Sequence, residues 1–255
     1  MPMIDTHTHI YLKQFSEDRE ALLQRAFEAG VQELFLPNID KESVAALKSL
    51  AADHDHIYPM MGLHPSHVKA DYEEELAVVW EELASDTHYY AVGEIGIDLY
   101  WDKTFLKEQQ IAFDQQISKA KEMALPIVIH CRDAFDETFE VLESHRGDDL
   151  FGIFHCFTGN LEQAHQALSL NLKLGIGGVV TFKNGGLDKV VAELQTEDLV
   201  LETDAPFLAP MPYRGKRNEP AYLSYIAQKI ADLHQRPLEE VDAITTANAR
   251  KIFQL

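Results

Sequence analysis

Cysteine, long apolar runs and positive charge are all scarce in this sequence of 255 residues. The two cysteines, Cys131 and Cys156, cannot form the disulfide framework of a small secreted protein, and we expect free thiols. No apolar run reaches the roughly 18 residues of a membrane-spanning helix. The N-terminal MPMIDTHTHI lacks the basic and apolar segments of a signal peptide. We therefore expect a soluble cytoplasmic protein.

Positive charge is scarce because 22 Lys and Arg residues stand against 42 Asp and Glu residues, which gives a formal net charge of −20. Such a chain repels a polyanion at long range, and this counts against nucleic acid as a partner. One segment is nevertheless basic, with Arg214, Lys216 and Arg217 close together. Bound cations would also cancel several carboxylates. The charge must therefore be interpreted locally.

Short apolar or β-branched runs alternate with longer amphipathic stretches along the whole chain, which indicates a parallel sheet. Eight strands are predicted, at residues 3–9, 34–37, 57–62, 91–96, 127–130, 151–155, 172–176 and 199–202. Eight strand and helix pairs in about 250 residues predict an α/β fold, a single-domain (β/α)8 TIM barrel over residues 1–255. A doubly wound open sheet is the competing architecture. Such a sheet gathers its ligands at one switch point and would not place functional residues at so many strand ends.

Helical spacing recurs between the predicted strands. Asp40 is predicted to cap a helix, and Asn160 with Gln163 has the pattern of a capping box. A late helix is predicted from the spacing of Leu223, Ile226, Ala227, Ile230 and Leu233.

Ionisable side chains gather at the ends of the predicted strands, where a barrel has its active site. His7 and His9 are one residue apart, and a strand sends alternate side chains to the same face. A lone histidine there is usually a satisfied polar residue. His-x-His together with ionisable groups on other strand ends instead predicts a metal site.

Glu94 lies within an apolar run, where an unpaired carboxylate would be costly to bury. A salt bridge to Arg or Lys would supply a partner, and so would two cations that share the carboxylate. Some metal-binding barrels place a modified lysine here, but this strand has none. The sequence therefore favours the shared carboxylate.

His130 and His155 each follow an apolar strand and are each predicted to be one inward-facing ligand. Strand alternation places Cys131 and Cys156 on the opposite face. Thiolate ligation is therefore disfavoured, and we expect buried free thiols.

Glu202 and Asp204 share one face of the eighth predicted strand, so two carboxylates face the histidines. Asp204 is the preferred ligand that also accepts a proton from water. Glu202 could ligate, orient that water or act as the base, and the sequence leaves these roles open. The competing interpretation is that each carboxylate caps the following helix.

His64 is predicted to lie in a loop, either as a surface imidazole or as a hydrogen-bond donor to a phosphate oxygen, with Arg132 as a neighbouring cation. The remaining histidines are interpreted as surface residues: His54, His56, His67, His88, His145, His165 and His234.

Six segments, taken in order, closely resemble the TatD-type deoxyribonucleases of the metal-dependent amidohydrolase superfamily. They are DTHTH (5–9), GLHP (62–65), GEIGID (93–98), HCR (130–132), HCFTG (155–159) and ETDAP (202–206). Residues 212–220 also resemble the basic loop of that family, and Asn248-Ala249 its terminal helix signature. The similarity runs from Met3 to the C-terminus.

The resemblance implies a metal-dependent deoxyribonuclease that trims DNA from the 3′ end. It implies a centre of two divalent cations bound by His7, His9, Glu94, His130, His155 and Asp204. Magnesium is the expected assay cation, with zinc, manganese or cobalt as alternatives. Asp204, Glu202 and His64 are the expected catalytic residues. Single-stranded DNA or a 3′ end is expected to contact His64, Arg132, Arg214, Lys216 and Arg217, and we expect a monomer with no membrane partner.

Two other functions remain open at this stage. A small-molecule hydrolase of the same superfamily would act on a cyclic amide, a lactone or a phosphotriester, but would give no reason for the basic loop. A non-catalytic barrel that serves as an interaction module would lack a ligand, and none of the six is missing from the sequence.

Overall fold

The computed structural model describes residues 2–255, in which strands and helices alternate as predicted. The strands are β1 (Met3–Asp5), β2 (Val31–Pro37), β3 (Ile57–Met60), β4 (Val92–Asp98), β5 (Ile127–Arg132), β6 (Gly152–Phe154), β7 (Leu172–Ile176) and β8 (Leu199–Leu201). Each pairs in parallel with its sequence neighbours, β1 to β3 in one run and β4 to β8 in another.

Backbone bonds join these two runs into a closed barrel. Met61, just after β3, bridges to Val92 at the start of β4. On the other side, the N–H of Thr6 donates to the carbonyl of Leu201 at 3.0 Å, which brings the end of β1 to the end of β8. Closure leaves no exposed sheet edge within residues 2–255 and confirms the predicted (β/α)8 barrel.

Nine helices are assigned within residues 2–255: α1 (Arg19–Glu28), α2 (Val44–Asp53), α3 (Tyr72–Leu83), α4 (Leu106–Glu122), α5 (Phe135–Ser144), α6 (Leu161–Ser169), α7 (Leu187–Ala192), α8 (Leu223–His234) and α9 (Leu238–Phe253). The capping box of Asn160 and Gln163 and the late helix α8 are confirmed. The predicted Asp40 cap is wrong, because Ser43 is the N-cap of α2. Asp40 instead accepts the N–H of Ser43, at 2.9 Å, in the preceding turn.

None of the helices in this part of the chain is both long and apolar enough to cross a bilayer.

Four predicted strands, the first, third, sixth and eighth, end earlier than expected, and His7, His9, His155 and Glu202 lie just beyond regular strand. Side-chain carboxylates interrupt the ladder at these places. Asp5 accepts the N–H groups of His7 and Thr203, and Glu202 accepts that of Cys156. The strand ends are therefore held to one another by buried carboxylates.

The apolar core has two parts. One part joins the strands to the surrounding helices. The other fills the N-terminal half of the barrel interior, and the strands and α9 both contribute to it: Ile4, Phe35, Met60, Ala91, Val128, Ile153, Val200, Ala249, Ile252 and Phe253. The polar residues of the motifs come later in each strand, so they lie above this apolar floor.

Helix α9 closes the floor of the barrel. The Phe253 ring stacks on Phe35, with ring centroids 3.6 Å apart and an interplanar angle of 14°. The side-chain amide of Asn248 donates to the carbonyls of Glu197 and Leu199, at 3.0 and 2.8 Å, at the entry to β8. The Asn248-Ala249 signature therefore has a structural explanation.

We predict that Phe253→Ala lowers the free energy of unfolding by about 3–5 kcal/mol, because it leaves a cavity where Phe35 loses its stacking partner. Urea denaturation measures the effect. Leu255→Ala is the matched control, since Leu255 is 42% exposed, and it should change stability by less than about 0.5 kcal/mol. Equal stability of the two variants would contradict a role for α9 as the barrel floor.

Candidate metal centre

The structure brings all six predicted ligands together at the mouth of the barrel, where all of them except His7 line a cavity of about 660 Å³. Four of them, His7, His9, Glu94 and His155, are almost fully buried. The chain therefore gathers imidazoles and carboxylates from distant parts of the sequence into one site.

His7 and His9 face each other as their spacing predicted, with their Nε2 atoms 3.2 Å apart. Glu94 Oε2 lies 3.1 Å from Nε2 of His7 and 3.5 Å from that of His9. Asp204 Oδ1 completes the group at 3.9 and 3.6 Å from the same nitrogens. Four ligand atoms thus surround one point.

A second group surrounds the other oxygen of Glu94. Its Oε1 lies 2.9 Å from His130 Nδ1, 3.3 Å from His64 Nε2 and 3.8 Å from His155 Nε2. His64 and His130 are themselves 3.3 Å apart through those nitrogens. The two oxygens of Glu94 therefore face different sets of imidazoles.

This arrangement fits two cations. Bonds of about 2.0–2.2 Å to a cation hold adjacent ligand atoms about 3.0–3.6 Å apart, which is close to most of the separations above. Among residues 2–255, the ion-pair partners of Glu94 are imidazoles only, with no Lys or Arg. The predicted alternative of a salt bridge from Glu94 to Arg or Lys is therefore wrong, and the carboxylate has the surroundings expected of a shared ligand.

The proton positions on His9 follow from its neighbours. Tyr11 Oη lies 2.7 Å from the carbonyl of Pro37, which can only accept, so the phenol donates there. His9 Nδ1 lies 3.1 Å from the same Oη and must donate to it. The Nε2 atom of a neutral His9 is then left with its lone pair towards Glu94 and Asp204.

Two carboxylates orient the other imidazoles in a similar way. Asp98 Oδ2 lies 2.9 Å from His130 Nε2, so Nδ1 is the nitrogen directed at Glu94. Glu202 Oε1 lies 2.9 Å from His155 Nδ1 and accepts the backbone N–H of Cys156 at 2.6 Å. Asp98 was part of a quoted motif but had no predicted role. The sequence feature that could have revealed this role is the position of Asp98, whose carboxylate lies on the same strand face as that of Glu94.

Gly175 leaves the space that Glu202 occupies. A Cβ at this position would lie 2.3 Å from Glu202 Oε2 and 3.2 Å from the backbone of His155. The close approach of β7 to both residues therefore requires a glycine.

The charges of the cluster are interdependent. Burial opposes the charged form of Glu94, but His64, His7 and His155 outweigh it and hold its pKa well below the usual value. Burial also opposes protonation of His130 and His155. The hydrogen bonds of His130 to Asp98 and Glu94 raise its pKa to about 9, and Glu202 and Glu94 raise the pKa of His155 to about 10. Where no cation is bound, protons therefore supply part of the positive charge that the carboxylates require.

Asp204 differs from the other carboxylates. Its side chain is 13% exposed, against 3% for Glu94 and 0% for Glu202. Burial raises the pKa of Asp204 to about 6, opposed by His155 and His9. Of the carboxylates in this cluster, Asp204 is the most exposed to the solvent in the cavity.

His64 and the cysteines differ from their sequence predictions. His64 lies at ligand distance in the second group, and burial lowers its pKa to about 4, so it is not a surface imidazole. Cys131 and Cys156 are half-buried and line the cavity, so the prediction of buried thiols on the opposite face is wrong. Burial raises the pKa of Cys131 to about 11 and that of Cys156 well above its usual value. Both are therefore thiols and not thiolates at neutral pH.

The predicted basic loop divides into two parts. Arg217 pairs with Asp18 at 2.7 Å and donates to the carbonyl of Gln14. Its hydrogen bonds and charge are therefore satisfied by other residues of the chain. Arg214 lies over the Phe182 ring, 4.4 Å from its centroid, and Lys216 is exposed. Arg132 lines the cavity.

The histidines assigned to the surface fall into two groups. His67, His88 and His165 are exposed, although His67 also lines the cavity. The others are half-buried, which makes the surface interpretation wrong for His54, His56, His145 and His234. His234 shows why, since its two ring nitrogens bond Thr196 and the carbonyl of Val191 and so tie α8 to neighbouring segments.

Comparison with known proteins identifies the family. Residues 4–254 match the model of the TatD related DNase family. The chain is 39% identical to the "uncharacterized metal-dependent hydrolase YabD" of Bacillus subtilis strain 168 over 254 residues, which is 99% of each chain. It is 32% identical to the "3′-5′ ssDNA/RNA exonuclease TatD" of Yersinia pseudotuberculosis over 260 residues, 99% of this chain and 100% of the relative.

A solved structure supports the same assignment. The crystal structure of YjjV, a TatD homologue from Escherichia coli K12, superposes with a TM-score of 0.90 at 33% identity, covering 99% of this chain and 98% of the other. The sequence motifs, the barrel and the imidazole-carboxylate cluster agree with both comparisons, and the chain belongs to the TatD related DNase family.

Proposed function

We propose that residues 1–255 form one hydrolase domain that uses two divalent cations to cleave phosphodiester bonds, removing nucleotides from the 3′ end of single-stranded nucleic acid. The observation that supports this most directly is the position of Glu94, whose two oxygens face separate groups of imidazoles. The names of relatives such as the Yersinia exonuclease support the substrate class and the direction.

His7, His9, Asp204 and Glu94 would hold one cation. His130, His155 and His64, which surround Glu94 Oε1, would hold the other. Two cations bound there would supply Lewis acidity for the phosphate and a water activated for attack. The role of His64 in this proposal is that of a ligand, because its Nε2 lies 3.3 Å from both Glu94 and His130.

Asp204 and Glu202 have different tasks in this proposal. Asp204 accepts the proton of the attacking water, because its carboxylate is the most exposed of those that line the cavity. Glu202 holds His155 in the orientation that directs Nε2 into the cluster, and its buried oxygens cannot meet a substrate. Neither carboxylate is needed as a helix cap.

The positively charged side chains proposed to contact the nucleic acid lie in and beyond the cavity. Arg132 follows His130 and lines the cavity, where it can pair with a phosphate near the reacting centre. Arg214 and Lys216 remain available to more distant phosphates. We assign Arg217 to the ion pair with Asp18 and no longer to the substrate.

Five imidazoles and two carboxylates suit zinc, manganese or cobalt better than magnesium, which prefers oxygen ligands and water. We therefore propose a transition metal as the tightly bound ion. Magnesium remains the expected assay cation where it is supplied in excess.

A substrate panel tests the proposed function. The metal-loaded protein should shorten 5′-labelled single-stranded DNA stepwise, act more slowly on duplex DNA, and lose activity after chelation. A 3′-terminal phosphorothioate linkage is the control for direction, since it should block shortening of an otherwise identical strand. Hydrolysis of a lactone without hydrolysis of any phosphodiester would replace this proposal with a small-molecule hydrolase.

We predict two anomalous scattering peaks about 3.5–4 Å apart, one on each side of Glu94. Glu94→Gln should reduce the bound metal from two ions per chain to one or none, measured by mass spectrometry of the metal content. Asp242→Asn is the matched control, because Asp242 is also buried but lies in α9. A single peak, or two ions retained by Glu94→Gln, would rule out the shared carboxylate.

We predict that Asp204→Asn lowers kcat by about a thousand-fold or more, since it removes both a ligand charge and the proton acceptor. Glu202→Gln should cost about 10- to 100-fold, the usual effect of a residue that orients a ligand. Circular dichroism checks that both variants fold. If Glu202→Gln proves the more damaging of the two, the assigned roles are reversed.

A further inference from the structure

The most exposed of the large apolar side chains in residues 2–255 lies at the mouth of the metal centre. Trp101 is 80% exposed and lines the same cavity as His130 and Asp204. Phe207 is 47% exposed and lines the cavity from the loop that follows β8. A tryptophan that leaves four-fifths of its surface in water contributes little to the stability of the fold, so its position calls for another explanation.

The structure connects Trp101 to the metal centre. Asp98 Oδ1 accepts the N–H of Tyr100 at 3.0 Å, while Oδ2 of the same carboxylate lies 2.9 Å from His130. The Trp101 ring meets Tyr100 edge to face, with centroids 4.6 Å apart. The loop that carries the indole therefore starts from a residue that orients a predicted metal ligand.

A cation completes this side of the mouth. The Arg132 guanidinium lies over the Tyr100 ring, 3.6 Å from its centroid. This contact holds Arg132 beside the two aromatic rings while it lines the cavity. An aromatic ring can stack on a nucleobase while the neighbouring positive charge pairs with the phosphate of the same nucleotide.

Phe207 marks the other side of the mouth. Its ring centroid lies 6.1 Å from that of His9, with the rings near perpendicular, so this apolar surface reaches the first group of predicted ligands. Aromatic rings from two loops therefore flank the path to the reacting centre.

We propose that Trp101 and Phe207 form a stacking entrance that binds the bases of a single-stranded nucleic acid and directs its terminal phosphodiester to the metal centre. This inference rests on the proposed function and adds to it the residues that distinguish single strands from duplexes. In a duplex the faces of the bases are covered by their neighbours, whereas the bases of a single strand are free to stack on protein side chains.

Stacking also explains how a chain with a large negative charge can bind a negatively charged strand. A net charge of −20 weakens electrostatic capture of a polyanion, but stacking on an aromatic ring uses the base and not the phosphate. Because every base has an aromatic face, the entrance should accept DNA and RNA of any sequence.

Replacing Trp101 tests the proposal in the metal-loaded protein. Trp101→Ala should raise KM for single-stranded oligothymidylate roughly ten-fold or more and change kcat little, since one aromatic stacking contact is commonly that large. Trp101→Phe should restore most of the loss. Met123→Ala is the matched control, because Met123 is 39% exposed at the end of α4 and lies outside the cavity. An unchanged KM for Trp101→Ala would overturn the proposal.

A comparison of substrates separates stacking from a general effect on the loop. An abasic oligomer of the same length keeps the phosphates and removes the bases. The wild-type protein should bind it roughly ten-fold more weakly than oligothymidylate, and Trp101→Ala should lose most of this difference, since only Phe207 then remains to stack on the bases. Equal weakening of both ligands by Trp101→Ala would show that the indole only supports the loop, and would overturn the proposal.

Tryptophan fluorescence gives a readout that does not depend on hydrolysis. The chain has two tryptophans, so Trp80→Phe leaves Trp101 as the sole reporter. Phosphorothioate oligothymidylate, which resists cleavage, should quench its emission, and the abasic oligomer should not. Quenching without hydrolysis of any phosphodiester would refute the proposed function and retain the stacking entrance. Hydrolysis of oligothymidylate without quenching would refute the entrance alone.

Discussion

The site depends on one electrostatic requirement, which is that the buried carboxylate of Glu94 must have positive charge on both of its oxygens. Five imidazoles, from four separate segments of the chain, lie 2.9–3.8 Å from this carboxylate. Imidazoles can share such a carboxylate either as protonated groups or as neutral ligands of a cation. Since the two forms exclude each other, binding of a cation must release protons from this cluster.

The barrel satisfies this requirement by dividing its interior into two levels. The lower level is apolar, and α9 closes it from below through Phe253. The upper level is polar, and there the regular ladder gives way to bonds from buried carboxylates such as Asp5 and Glu202. Because these bonds fix the backbone at the ends of β1, β6 and β8, the imidazoles are positioned by the frame of the barrel and not by mobile loops.

The sequence was sufficient to predict the barrel and the residues that meet in it, because strand and helix periodicity and the alternation of side chains are local properties. It predicted that His7 and His9 share a face even though β1 ends at Asp5, since the segment that follows keeps alternating backbone bonds to β8 and β2. It could not predict contacts between distant segments. The pairing of Arg217 with Asp18, the bond from His9 to Tyr11 and the half-buried positions of the cysteines all depend on tertiary packing.

The acidic composition and the proposed polyanionic substrate are compatible once the site is considered with its cations. Glu94, Asp98 and Asp204 all line the cavity, and Arg132 is the arginine beside them. Without bound cations these carboxylates repel a phosphate, and with them the same carboxylates hold the charge that attracts it. The affinity for cations and the affinity for the substrate are therefore coupled, and by linkage each must strengthen the other by the same factor. On the proposed function, such an acidic chain should bind nucleic acid more tightly with its cations than without them, while its surplus of carboxylates limits non-specific binding elsewhere on the surface.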